Sequence, residues 1–135
     1  MTEKILTERD VNMYSPLTLA FLGDSVYDTL VREELLRRAN MPVSKLHSAK
    51  IKLVCAEFQS GAYDRLSEVL TDKELAVLKR GRNATGNTVP KHAEAAEYHR
   101  ATAVECLFGY LQLLGRQDRI TEIFGVIMNG VEIEI

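Results

Sequence analysis

Apolar residues fall in blocks at three- and four-residue spacing, and the punctuation between blocks marks out helices rather than strands. Ser15-Pro16 has the form of an N-cap followed by proline at the first helical position, and Asn40-Met41-Pro42 stops the helix it opens near Ala39. Ser44 can cap a second helix, with Leu46, Ile51, Val54 and Phe58 on its apolar face. Ser60-Gly61 is where this helix is expected to kink or break, before a further helical stretch to Leu70. Thr71 and Glu74 form a capping box for a helix ending near Gly81, and residues 84–90, ATGNTVP, read as loop. A long helix is predicted from Lys91 to Leu114 with Gly115 as its C′ residue, then a last one from about Asp118 to Asn129, closed by Gly130. Only the tail VEIEI alternates. The expected fold class is all-α, a compact helical bundle.

Composition narrows the class without naming a function. The chain has 135 residues, enough for one domain, 1–135, that buries its own core. A net charge of −2 means that any nucleic-acid binding has to come from a local patch. Cys55 and Cys106 each lie in an apolar helical pattern without C-x-x-C spacing, as small core residues of a reducing compartment would. The charged start, MTEKILTERD, has no signal-peptide core, and the uncharged run from Cys106 to Gly115 is too short to span a bilayer. A soluble cytoplasmic protein with no membrane association is expected.

Two acids stand out against this background. Asp24 is the sole charge between Ser15 and Tyr27, and Glu105 the sole charge between Ala101 and Gly115. Both runs read as helices with a largely apolar face, so each acid is expected to lie at least partly out of water. A buried carboxylate without a partner is costly; it neutralises, finds a cation or binds a metal. Neither has a lone Lys or Arg beside it, which suggests a shared divalent cation. Magnesium takes one or two carboxylates and keeps several waters, so two acids suffice. Small neighbours, among them Ala20, Ala101 and Gly109, leave room for a hydrated ion. The competing reading is structural: Asp24 bonded to a helix end or hydroxyl, and Glu105 paired with a distant Arg.

The wording around these acids resembles a known family. FLGDSVYD is similar to the signature helix of the ribonuclease III family, whose F-L-G-D core carries a catalytic aspartate, and RATAVECLFGYL resembles its second acidic helix. RGRNA followed by a Thr/Gly/Asn/Pro loop is similar to the short subfamily, Mini-ribonuclease III, which consists of the nuclease domain alone without a separate double-stranded-RNA-binding domain. The resemblance runs from about Ser15 to Ile127. It implies a bundle of the ribonuclease III endonuclease-domain type, with Asp24 and Glu105 as catalytic, metal-binding acids. The larger relatives carry further acids where this chain has Ala20 and Thr102; Thr102 could still hydrogen-bond a metal-bound water. The implied activity is Mg²⁺-dependent cleavage of double-stranded RNA giving 5′-phosphate ends, on a stem of precursor large-subunit ribosomal RNA. A homodimer is implied too, with Phe21 inserting into the partner subunit and Leu17 one turn before it. A ribosomal protein or pre-ribosomal particle is a further candidate partner.

Other residues admit two readings. Asp28, one turn beyond Asp24, either orients a ligand or metal-bound water or pairs with a base on a neighbouring helix. The acid-free segment 79–92 is either a solvated connection or a basic loop on an RNA duplex. In the second case Arg80, Arg82 and Lys91 contact phosphates, and Asn83 and Thr85 hydrogen-bond in the minor groove. Glu94 and Glu97 form an E-x-x-E pair as in the all-α nucleotide pyrophosphatases, but no partner E-x-x-D occurs, and a solvated face is expected. The remaining rival is a non-catalytic ribosome-associated or RNA-binding module on the same fold, which loss of the two acids would have marked.

Overall fold

A computed structural model describes residues 6–84 and 94–133. Seven helices are found among them and no strand: α1 (Glu8–Asn12), α2 (Pro16–Arg38), α3 (Val43–Val54), α4 (Ala56–Leu66), α5 (Asp72–Arg82), α6 (Ala95–Leu113) and α7 (Gln117–Met128). The caps act as their residue types dictate. The Ser15 side chain accepts from the Leu17 amide with Pro16 at N1, and Thr71 and Glu74 complete their capping box. Glu74 is only 4% exposed, yet it also receives two bonds from Arg119, at 2.7 and 2.8 Å, so its charge is paired inside the fold. At the end of α6, Gly115 has φ +71°, and the Arg116 amide reaches back to the Leu111 carbonyl at 3.0 Å, a Schellman closure.

Besides Pro42 replacing Ser44 as the N-cap of α3 and α4 ending at Leu66 rather than Leu70, three boundaries differ from the pattern-based expectation. First among the described elements is α1, a single short helix in which Thr7 and Asp10 cap each other and Val11 is fully buried. The break expected at Ser60-Gly61 falls at Cys55 instead, and Gly61 lies inside α4. The cause is tertiary. The carbonyls freed at the end of α3 find side-chain partners, Leu53 accepting from the Tyr27 hydroxyl and Val54 from Gln59 Nε2. Cys55, half-buried with extended backbone, therefore joins two helices rather than sitting within one, whereas Cys106 is a buried core residue. Third, α6 begins at Ala95, after Glu94 in extended conformation; residues 91–93 lie outside the described segments.

α6 is the axis of the bundle. From Ala101 to Leu111 every residue is buried except Glu105, because α2, α4 and α5 all pack against this helix. A helix that is apolar all round is a core helix, not a surface one. The contact with α2 is the most extensive, and two glycines set its closeness. A Cβ on Gly23 would lie 1.6 Å from the Glu105 carbonyl oxygen, and one on Gly109 1.9 Å from the Leu19 carbonyl oxygen. The backbones thus touch where no other residue fits.

Candidate active site

That crossing brings the two acids together. Asp24 follows Gly23 on α2, and the Glu105 carbonyl is the group Gly23 touches on α6, so both carboxyls emerge at one point. Glu105 is half-buried; Asp24 is exposed, contrary to the expectation that both would be withdrawn from water. The apolar flanks of Asp24 serve the crossing and an outward face rather than covering the acid. Small residues near the acids have a different use from the expected one: Gly23 and Gly109 are consumed in backbone contact.

The Asp24 carboxyl lies within hydrogen-bonding reach of Glu105. Burial first, then the hydrogen bond and the negative charge of Asp24, push the Glu105 carboxyl up to about 8, while the Gln59 amide pulls the other way. Near neutral pH the free pair therefore keeps a proton. Among the described residues no Lys, Arg or His lies within ion-pair distance of either acid, which removes the reading in which Glu105 pairs with an Arg. No group of three or more His, Cys, Asp or Glu converges among the described residues either. Two carboxyls forced together without a cationic side chain, beside a buried amide oxygen that has no partner, fit a divalent cation.

Gln59 is the residue the sequence reading missed. It is 3% exposed, donates Nε2 to the Val54 carbonyl at 3.0 Å and faces Glu105, while its Oε1 has no hydrogen-bond partner. The one signal in the sequence is its place four residues after Cys55, on the face of α4 that carries Ala62, Tyr63 and Leu66 inward, which Ser60 beside it obscures.

The other site candidates are placed as follows. Asp28 spends both oxygens on structure, bonding Arg32 at 2.6 Å on its own helix and Lys50 at 2.9 Å on α3. Partial burial opposes its ionisation, but the bonds from Lys50 and Arg32 outweigh it and hold the carboxyl below its usual range. Thr102, buried one turn before Glu105, donates to the Tyr98 carbonyl at 3.1 Å. Arg80 bonds Asn12 and the Tyr14 carbonyl, bracing the turn between α1 and α2. Arg82 donates to the Tyr63 hydroxyl at 2.8 Å and lies over that ring, next to the exposed Asn83. Thr85 and Lys91 lie outside the described residues. Glu94 is exposed and Glu97 half-buried. On the outward face of α2, Phe21 is 84% exposed, with Leu17 half-buried one turn before it and Met13 82% exposed beyond.

Comparison with known proteins shows the family. Residues 17–116 match the family model described as the Ribonuclease III domain. Among similar sequences, the Mini-ribonuclease 3 of a Thermoanaerobacter species is 37% identical over 96% of this chain and 91% of its own length. Those of Symbiobacterium thermophilum and Brevibacillus brevis are 42% and 43% identical, covering 87% and 85% of this chain and 90% and 86% of their own. A crystal structure of a Fusobacterium nucleatum protein superposes with a TM-score of 0.81 at 30% identity, covering 90% of this chain and 93% of the other. No helix among the described residues is long and apolar enough to cross a membrane. The chain belongs to the ribonuclease III family and is an endoribonuclease.

Proposed function

We propose that the chain cleaves double-stranded RNA with Mg²⁺ held between Asp24 and Glu105. The observation that carries this reading is the meeting of those two carboxyls at the Gly23–Gly109 crossing, with no cationic side chain to neutralise them. When bound, such a cation lowers the pKa of a water and offsets charge on the scissile phosphate. The chain's residues prepare the place. Asp24 presents its carboxylate to solvent, where a duplex backbone can approach, while α6 fixes Glu105 by burial on both sides. To hold a cation, Glu105 would have to release the proton it retains, so binding would be coupled to proton release.

A second copy completes the enzyme in this reading. Met13, Leu17 and Phe21 form an exposed apolar edge along the start of α2, and Phe21 lies one turn before Asp24. A two-fold contact through this edge is self-complementary and sets two acid pairs for the two strands. Arg82, Asn83, Thr85 and Lys91 would meet the duplex, with Arg80 sharing its guanidinium between the α1–α2 turn and phosphate. By family resemblance the substrate is a stem of precursor large-subunit ribosomal RNA in the cytoplasm. The test is cleavage of an end-labelled duplex and of each strand alone. Cuts in both strands of the duplex, leaving 5′-phosphate and 3′-hydroxyl ends, are expected. Equal cutting of the single strands would refute duplex specificity.

A further inference from the structure

A buried carbonyl-type oxygen left unbonded loses the hydration it had in the unfolded chain, so the Gln59 Oε1 calls for a partner. The orientation of the amide is settled by its neighbour. Nε2 donates to the Val54 carbonyl at 3.0 Å, and the flipped amide would set two oxygens against each other. That carbonyl is free only because α3 stops at Cys55, so the helix break itself aims the Gln59 side chain. The Gln59 side chain also lies beside the Glu105 carboxyl, whose ionisation its amide favours. The oxygen and nitrogen of one amide are about 2.2 Å apart by bond lengths, so Oε1 belongs to the same neighbourhood as that carboxyl.

We propose that Gln59 is the third protein group of the cation site, a positioning residue whose Nε2 holds Glu105 and whose Oε1 accepts from water around the cation. This rests on the two-acid reading above. A neutral amide suits the place: it adds an oxygen where Asp24 and Glu105 already crowd two acids, without adding a third negative charge. If Gln59 instead only caps α3 through Val54, Oε1 has no function and removing it should not affect cation affinity.

The experiment uses Mn²⁺ as probe, its free-ion electron paramagnetic resonance signal reporting binding to the RNA-free protein, with melting in chelator measured alongside. Wild type, Asp24→Asn, Gln59→Leu and Gln59→Met are compared. Wild type should bind and Asp24→Asn should not. Gln59→Leu should bind at least tenfold more weakly; it exchanges the orphaned Oε1 for a Val54 carbonyl without its donor, so melting in chelator should show a folded protein near the wild-type temperature. Gln59→Met keeps the side-chain length without either amide group and should weaken binding likewise. Gln59→Leu affinity within twofold of wild type overturns the proposal. Should Gln59→Leu fail to fold, Gln59→Met decides: affinity within twofold of wild type overturns it. Failure of wild type to bind, or binding by Asp24→Asn at wild-type strength, removes the two-acid site and this proposal with it.

Discussion

Glu105→Gln should flatten the pH dependence of the metal-free protein's stability. The Glu105 carboxyl titrates at about 8 in the folded protein against 4.5 for the free group. Between those values the folded protein holds a proton that the unfolded chain has released. The stabilisation this gives is complete below the unfolded value and is lost as pH rises through 8. The ceiling on that loss is about 5 kcal/mol at 1.36 kcal/mol per pKa unit. Asp24 is exposed, so solvent screens its share, and about 2–3 kcal/mol is the realistic figure. For a chain of this size 1 kcal/mol moves the melting temperature by about 3–4 °C. The Gln variant, which keeps the shape and cannot ionise, should therefore melt about 6–12 °C above wild type at pH 9 in chelator. Near pH 4.5 the two should agree within about 2 °C. Circular-dichroism melts from pH 4.5 to 9 are the assay. A difference between the proteins that stays constant across that range would refute the shared-proton account of the pair.

Other perturbations test the frame around the site. Gly23→Ala puts a methyl into the Glu105 carbonyl and must push α2 off α6; a loss of at least about 3 kcal/mol in denaturant unfolding, with loss of cation binding, is expected. Phe21→Asp alters a side chain that is 84% exposed, so unfolding should change little, while sedimentation should show monomers and cleavage of both strands should cease. Replacing Arg80, Arg82 and Lys91 by Ala should weaken duplex binding and lower its salt slope by up to about one unit per cation, with turnover at saturation much less affected. The Arg80 change should also cost about 1 kcal/mol of stability, because this side chain bonds Asn12 and Tyr14. An unchanged salt slope would place the RNA elsewhere.

Most of the architecture was legible because it is written in local chemistry. Ser15-Pro16, the Thr71/Glu74 box, Gly115 and Gly130 each act within four residues, and each marks the helix end it announces. What escaped depends on distant partners. The carbonyls freed by the α3–α4 break at Cys55 are bonded by Gln59 and by Tyr27, and Tyr27, 26 residues before Leu53, lies outside any local window around Ser60-Gly61. The short α1 was hidden in a charged start whose Thr7–Asp10 cap pairs with aspartate instead of the usual glutamate. At the site, a lone charge in an apolar run pointed to Asp24 and Glu105, but the inference from run to burial held only for Glu105. Asp24 sits on the outward side of α2, where Phe21, one turn before it, is itself apolar and exposed. A hydrophobic face reserved for a partner has the same pattern as one reserved for the core. Gln59 went unnoticed for a related reason: in the sequence it is one polar residue among several in AEFQSG, and only the crossing of α4 with α6 sets it against Glu105.

The most direct measurement of the central claim is single-turnover cleavage of a duplex RNA by wild type, Asp24→Asn and Glu105→Gln, each in Mg²⁺ and in chelator. Wild type should cut in Mg²⁺ and stop in chelator, and both variants should be folded yet inactive in either condition. Cutting by wild type in chelator, or by either variant at near wild-type rate in Mg²⁺, would contradict a cation held between these two acids.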